Sequence, residues 1–379
     1  MKQEGQKLET ELNLPQVIIN RARKYKSKAL FQYKDGWSWK PITWVELEKK
    51  VKGLAAAFMG LGFKKGDKGL ILLSSSLESF YVDLAVQFVG GISVLLHEDE
   101  PRRGIDIKRI AGDSESRLIF VDAEEKLEEV LGGENKLPTL IKVITTFERH
   151  HIKHPKVTSL GKLTRSGFLK IAELEKELIL GIDKISGDEV SSIFYKSDLR
   201  RKEIIHRDFL YSIRAVSEKI PSAGEEDQIL SFLPPSEPVQ RFGNYVGLYK
   251  GMRIAVTEGT KDFFEDVLEV KPTILFEGRR ELEKIYLRVK SEVERNALRR
   301  LLLSWIEKNG GKRNLEGWFT KMGLDYMIDK ILFSKIRRAL GSRVKYILTD
   351  VAPSAKIRLP LSYCGIRTLD MPELSMILP

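Results

Sequence analysis

Short apolar runs recur along this chain with helix-period segments between them, and that alternation restricts the fold more than any other feature. Residues 68–74 (KGLILLS), 92–96, 117–121 and 141–145 each read as a buried strand bounded by turn formers. Between them, residues 77–89, 107–112 and 124–131 carry apolar positions at helical spacing. Ahead of them, residues 44–61 form a further helix. Thr43 and Glu46 make a capping box at its start, and Gly62 stops it. Strands alternating with helices at this spacing predict an α/β fold with a largely parallel sheet covered on both faces.

The pattern resumes after a polar, irregular stretch at 150–167, which reads as a loop. Helices are expected at 168–181, 208–220 and 239–249, and strands at 190–195, 228–233, 253–257 and 344–348. A long charged helix is expected over 281–308, broken by Gly310 and Gly311, with helix resuming up to Leu340. The expected units are residues 1–150, a second α/β unit at 168–355, and a short tail at 356–379.

Composition narrows the class. Among 379 residues, 42% are hydrophobic and 31% charged, a globular balance. Cys364 is the only cysteine, so no internal disulfide framework or multi-cysteine metal cluster is expected, and a reducing, cytoplasmic setting follows. Residues 1–11 alternate charges without an apolar core, unlike a signal peptide. The most apolar stretch, 84–96, holds Gln87 and is too short to cross a bilayer, so no transmembrane segment is expected. The net charge of +11 favours anions, but acids are interspersed and there is no basic tail. No specific nucleic-acid partner is expected. Seven Asn and seven Gln beside 64 Lys plus Arg point to a thermophilic source.

Four collinear segments carry a family resemblance. The stretch ALFQYKDGWSWKPITWVELEKKVKGLAAAFMGLGFKKGDKGLILL, residues 29–73, is the first. LSFLPPSEPVQRFGNYVGLYKGMRIAV, residues 230–256, is similar to the pattern LPLSH…ER…Y…LY.G..IA. Lys271-Pro272-Thr273 followed by residues 280–288 is similar to PT…PR.FEKIY.R. KILFSKIRRALGSRVKYIL, residues 330–348, is similar to LVFSKIREALGGRLRFLVSGGAPL. Together they resemble the N-terminal domain of the AMP-forming acyl-CoA synthetases, in the long-chain fatty acid branch. The resemblance implies two layered α/β subdomains and a fatty acid–CoA ligase that uses ATP, Mg2+ and coenzyme A.

The motifs that carry the chemistry depart from the family. Its phosphate loop, of the form YTSGTTGxPKG, needs small residues so that backbone N–H groups can approach phosphates. Here Tyr195 ends the expected strand, and Lys196-Ser197-Asp198-Leu199-Arg200-Arg201-Lys202-Glu203 follows. No glycine occurs between Gly187 and Gly224. Ser197, Lys202 and His206 match only in type. Residues 196–206 are therefore expected to form a short turn or the start of the next helix, not an open cradle. At the family's SGGAPL stand Thr349-Asp350-Val351-Ala352-Pro353-Ser354; Ala352 and Pro353 survive, and the glycine pair has become Asp350 and Val351. Cys364-Gly365-Ile366-Arg367-Thr368 echoes the family's YG.TE, with Thr368 at the magnesium-binding acid. The resemblance thus leaves Tyr195, Ser197, Lys202, Asp350, Ala352 and Pro353 as vestigial nucleotide positions.

The acyl side rests on Glu237, Phe242, Gly243, Tyr245 and Gly247. Glu237 replaces the family's histidine and either meets an entering carboxylate or lies exposed at a turn. Gly243 and Gly247 share one helical face. They permit either tight helix–sheet packing or a lipid-sized cavity lined by Phe242 and Tyr245. His150 and His154 stand i, i+4 around His151, a metal-pair spacing, but Pro155 favours a loop, and no metal site is expected. Arg279, Arg280, Arg288, Arg295, Arg299 and Arg300 are interrupted by glutamates, a solvated face rather than a nucleic-acid surface. Ser74, Ser75 and Ser76 suit a helix cap.

The expectation is an acyl-CoA synthetase-like chain with no catalytic residues, no cofactor of its own and the C-terminal lid domain absent. It would keep at most fatty-acyl or acyl-CoA binding, or a role beside a partner protein. Two alternatives stay open: an active ligase completed by a second chain, and a basic scaffold on anionic surfaces.

Overall fold

Among the described residues, the strands form two seven-stranded sheets. The computed structural model describes residues 11–36, 38–97, 106–148, 154–196, 198–257, 263–309 and 325–376. One sheet holds β3 (Lys68–Leu72), β4 (Ile92–His97), β5 (Leu118–Val121), β6 (Lys142–Thr145), β7 (Val157–Ser159), β8 (Val190–Lys196) and β9 (Arg201–Ile205). Its order is β7-β6-β5-β3-β4-β8-β9, parallel except for β8–β9. The other holds β1 (Ala29–Asp35), β2 (Ser38–Thr43), β10 (Gln228–Ser231), β11 (Arg253–Val256), β12 (Ile274–Glu277), β13 (Tyr346–Thr349) and β14 (Arg367–Asp370). Its order is β14-β13-β12-β10-β11-β1-β2, parallel except for β1–β2. The α/β class and the parallel pairing follow the sequence pattern.

Sheet membership does not follow the expected break between residues 150 and 168. β1 and β2 lie early in the chain yet pair onto β11, while β8 and β9 lie late yet extend the sheet begun by β3. Apolar periodicity marks that a strand is buried but carries no record of its neighbour, so the swap was not legible.

The helices between the sheets create the shared core. They are α1 (Leu14–Tyr25), α2 (Trp44–Gly60), α3 (Leu77–Phe88), α4 (Leu160–Asp183), α5 (His206–Lys219) and α6 (Pro238–Lys250). One cluster joins Phe58, Val82, Phe209 and Phe242 from these helices to Ile71 and Leu95 of one sheet and Ile254 and Phe276 of the other. The outer faces have their own cores, around Ile110 and Leu127 on one side and Leu282 and Ile336 on the other.

Local rules account for most ends. The capping box forms as read: Thr43 Oγ1 accepts from Glu46 N–H at 3.3 Å, and Glu46 accepts from Thr43 N–H at 2.7 Å. Ser76 caps α3. Two boundaries differ from expectation. α4 starts at Leu160, not after Gly167. Gly167 looked like a loop residue, but it sits where α4 crosses α2 backbone to backbone, and a Cβ there would strike the Gly53 carbonyl. The long charged helix is two helices, α7 (Arg279–Glu294) and α8 (Ala297–Asn309). They pair across the break, with Lys290 holding Glu307 at 2.8 Å. Gly310 and Gly311 lie outside the described residues.

α1 is tied to the rest by polar bonds from its N-terminus. Asn13 caps it through Gln16 N–H and donates to the Ile182 and Ile185 carbonyls, both at 3.0 Å. The Leu14 N–H donates to Nδ1 of His206 at 3.3 Å. His206 is buried, and burial, with Arg241 and Lys65 adding to it against Glu189, lowers its pKa to about 4. The ring is neutral when folded, and below its ordinary value of 6.5 the unfolded chain takes up the proton first. Stability is therefore complete above that value and falls with pH down to about 4, by roughly 3 kcal/mol in all. Urea unfolding followed between pH 7 and 4 should show this slope, and His206→Asn should flatten it.

Candidate functional site

Chain order reverses in the second sheet at β10, with β11 on one side and β12 on the other. In open α/β sheets a ligand sits outside the carboxyl ends of the strands at such a switch. Here those ends present Ser231 of β10 and Glu277 of β12, with α6 beginning at Pro238 after the turn Leu233-Pro234-Pro235-Ser236-Glu237.

The strongest polar constellation joins α3 to α6 beside this point. Asp83 receives Arg241 through Nε at 2.9 Å and Nη2 at 3.1 Å. Tyr245 donates its hydroxyl to Asp83 at 3.1 Å, and Ser93 donates at 2.6 Å. Gln87 fixes Ser93 in turn, donating to Ser93 Oγ at 3.0 Å and to the Ser191 carbonyl at 2.6 Å. Asp83, Arg241 and Tyr245 are all buried. The guanidinium lies over the rings of Tyr245 and Phe209, with centroids 5.0 and 5.2 Å away. Burial works to lower the Arg241 pKa, but Asp83 and Tyr245 outweigh it and raise it. Burial and then Asp83 push the Tyr245 hydroxyl well up, so it stays a donor. A cavity of about 20 Å3 lies beside the cluster, with Ser231, Arg241 and Asn244 in its wall. That is room for one water-sized group.

Of the two readings of Gly243 and Gly247, tight packing matches their surroundings. A Cβ on Gly243 would overlap the Phe276 ring, and one on Gly247 would come within 2.7 Å of Ile229 Cδ1. The two glycines let α6 lie directly on β12 and β10, which is the packing alternative. Phe242 is fully buried against Phe209 at 5.9 Å between centroids, while Tyr245 bonds Asp83 and lines the small cavity beside it. Glu237 is half-buried at the N-cap of α6.

The segment after β8 closes into a β-hairpin. β9 pairs antiparallel with β8, matching Phe194 with Lys202 and Tyr195 with Arg201. Its N–H groups turn inward: Lys196 donates to Arg200 O at 2.8 Å, Leu199 to Lys196 O at 2.9 Å, and Arg200 to Asp198 Oδ1 at 3.0 Å. Leu199 takes a positive φ of 67° without being glycine. A short turn was expected, and the strand after it was not. Tyr195 is buried and donates to Asp113 at 2.6 Å. Lys202 is half-buried, and burial followed by Lys196 lowers its pKa. Ser197 lies outside the described residues. A cradle of free donors for phosphates does not fit this hairpin.

Asp350 follows β13 and accepts from the N–H groups of Arg279 and Val351, both at 2.9 Å. Its carboxylate thus sits at the N-terminus of α7, the place where a helix would attract a ligand anion. Ala352 is exposed and Pro353 buried beyond it. Arg367 and Thr368 lie in edge strand β14, after a turn at Gly365 with φ 76°.

Sequence reasoning counted Glu277 among the glutamates of the solvated arginine-rich face, and the structure corrects that, because the residue ends the buried strand β12. It is fully buried, and neither carboxylate oxygen has a hydrogen-bond partner. Burial, then Glu281 and Glu237, pushes its pKa well up, so the group is a neutral acid. Its place as the last residue of an apolar strand run, before Gly278, was the available signal. Asp83 and Arg241 were missed, because their pairing depends on two helices far apart in the chain.

The remaining candidates resolve simply. His154 accepts from the Lys156 N–H at 3.2 Å through Nδ1, while His150 and His151 lie outside the described residues. The arginine-rich helices are laced with ion pairs, among them Arg279–Glu283 at 3.0 Å and Lys290–Glu294 at 3.7 Å. A larger cavity, about 380 Å3, lies at the amino ends of β3 and β5, where Arg117 pairs with Asp67 and Lys68 with Glu115. That is the edge opposite the one where α/β sheets bind ligands. No helix among the described residues is long and apolar enough to cross a membrane.

Comparison with known proteins gives a consistent picture. Residues 19–176 match the AMP-binding enzyme family. A long-chain-fatty-acid–CoA ligase of Mycobacterium bovis is 20% identical over 369 residues, which is 90% of this chain and 56% of the relative. Long chain acyl-CoA synthetase 3 of Arabidopsis thaliana is 25% identical, covering 83% of this chain and 48% of its own. The chain thus spans about half the length of these curated relatives. The A domain of a carboxylic acid reductase from Segniliparus rugosus, solved with AMP and a co-purified carboxylic acid, superposes with a TM-score of 0.66. It is 17% identical, and the match covers 98% of this chain and 61% of the other. The N-terminal domain of a Mycobacterium tuberculosis protein, FACL13, superposes at 0.63 with 13% identity, over 95% of this chain and 75% of that one.

Two measurements probe this geometry. Gly243→Ala should destabilise the protein by about 1–3 kcal/mol, and Gly247→Ala by less, because the Ile229 tip can move and the Phe276 ring cannot. Thermal unfolding of the two variants gives the ranking. Glu277→Gln should raise Tm more at pH 8 than at pH 5. An acid whose folded pKa is raised costs stability as pH climbs above its unfolded value, and the amide removes that loss.

Proposed function

The chain is a member of the AMP-forming acyl-CoA synthetase family over the N-terminal part that such enzymes share with it, and from that premise we propose that it binds a fatty-acyl ligand without forming an acyl-adenylate by itself. The fatty-acyl class rests on the relatives, whose names specify long-chain fatty acids. The hairpin formed by β8 and β9 carries the second half. Phosphate cradling by a loop needs several backbone N–H groups pointing outward from it. Here Lys196, Leu199 and Arg200 commit theirs to the hairpin itself. Two further features work against a polyanion. Asp350 holds the N-terminus of α7 with its own carboxylate, and Glu237 and Glu281 stand close enough to Glu277 to act on its charge. ATP and Mg2+ do not fit this set of residues, so no step of the reaction is assigned to them.

Basic residues near the hairpin do not restore the site. Arg200 pairs with Asp198 at 2.6 Å, and Arg201 with Asp113 at 3.3 Å. Their charge is matched locally, and their flexible heads cannot replace a rigid array of amides.

ATP–pyrophosphate exchange with a long-chain fatty acid is the test. The expected result is no exchange above the protein-free rate. Exchange that depends on the protein and disappears in Lys202→Ala would overturn the reading.

A further inference from the structure

The outer face of the hairpin made by α7 and α8 carries a pattern that the proposed function does not use. α7 buries Ile285, Val289 and Val293, and α8 buries Leu303 and Ile306, all in one core cluster. Tyr286 and Lys290 of α7 both bond Glu307 of α8, at 3.1 and 2.8 Å, so the helices lie side by side. The faces opposite this core therefore look outward together.

Those outer faces show cations and leucines. Arg280, Lys284, Arg288 and Arg295 are exposed, and Leu287 stands among them at 63% exposure. Their spacing of i, i+4, i+7, i+8 and i+15 puts all five on one side of α7. On α8, Leu298 is 52% and Leu301 67% exposed, and Arg300 is exposed beside them. Half-buried Leu302 and Trp305 continue the leucine stripe at i+4 and i+7 from Leu298. The apolar arc of α8 is thus wider than the part its core takes. Single exposed leucines are ordinary, but a stripe at helical spacing with basic residues beside it is an amphipathic surface.

The acids of these helices are placed differently. Glu281, Glu283, Glu294 and Glu307 are half-buried, and the last two both pair with the half-buried Lys290. Among the described side chains of the two helices, each exposed charged one is a cation. Residues 279–309 hold nine Lys or Arg and five Glu, a net of +4. The pairs nearer solvent, Arg279–Glu283 at 3.0 Å and Lys284–Glu281 at 3.6 Å, are of the exposed kind that is easily exchanged for another anion.

Charge and apolarity together select the occupant. A second copy would bring the same positive face against itself. A nucleic acid would match the charge but offer Leu298 and Leu301 no apolar phase. An anionic bilayer offers both, with phosphates at its surface and acyl chains just beneath. We propose that the outer face of α7 and α8 docks this protein on an anionic lipid bilayer, with Leu298 and Leu301 entering the headgroup boundary and Arg288, Arg295 and Arg300 meeting lipid phosphates.

This docking needs neither ATP nor an acyl ligand inside the protein, so it stands or falls apart from pyrophosphate exchange. The full chain is floated at about 0.1 M salt with vesicles of phosphatidylcholine, alone or with about 30% phosphatidylglycerol. Binding to the anionic vesicles should be at least about tenfold tighter. Leu298→Gln combined with Leu301→Gln should weaken it at least about tenfold with Tm unchanged, and so should Arg288→Gln combined with Arg300→Gln. If the leucine pair does not fold, Leu287→Gln takes its place on α7. An excess of single-stranded DNA should leave the vesicle-bound fraction in place. Equal or absent binding to the two vesicle types, unchanged binding in a folded leucine variant, displacement by the DNA, or a dimer in gel filtration that the leucine variant dissolves would each overturn the proposal.

Discussion

The buried pair between Asp83 and Arg241 is the interaction on which the interior depends. It crosses from α3, which packs under β3 and β4, to α6, which packs on β10 and β12. A salt bridge without solvent needs further hydrogen bonds to its carboxylate to offset the hydration lost there. Asp83 meets that condition with Ser93 and Tyr245, and Gln87 secures Ser93 against β8. The network thereby joins the two sheets through their shared core. Removing either partner would leave an uncompensated buried charge, at a cost of about 3–5 kcal/mol. The same network lines the cavity beside it through Asp83, Arg241 and Tyr245.

Around this rigid centre, the strand ends carry acids where a phosphate-binding fold would present bare backbone. Asp350 takes the helix N-terminus of α7, and Glu277 sits buried and neutral at the end of β12. Each change alone would alter one contact. Together with a hairpin whose amides are internally bonded, they leave carboxyl groups and committed N–H groups at these strand ends. The fold is shared with adenylate-forming proteins, but a fold supplies position and not chemistry.

His206 and Asn13 show a second way in which the chain is tied together. Both act across nearly the length of the first half, joining the start of α1 to the ends of α4 and β9. They satisfy N-terminal groups of one helix with side chains and carbonyls from others. Polar satisfaction, not only apolar burial, therefore decides where α1 docks.

Local rules made much of the fold legible in the sequence. The strands at 68–74, 190–195 and 344–348, the Thr43–Glu46 cap and the α/β class all follow from periodicity and capping, which depend on neighbours a few residues apart. The absence of glycine after Tyr195 was equally local, and it announced that this segment would not form an open cradle. What it became was not local: β9 forms because its residues find β8 as an antiparallel partner and an edge to occupy. Gly243 and Gly247 could be seen to permit a close approach, but only Phe276 and Ile229 show what approaches. Asp83 and Arg241 are 158 positions apart, and nothing in either helix by itself marks a partner. Sequence alone determined the class of fold and the segments without the glycines an open backbone cradle needs, because those are properties of short segments. Tertiary structure decided which strands share a sheet, which side of α6 is filled, and which carboxylate Arg241 meets, because those depend on distant segments brought into contact.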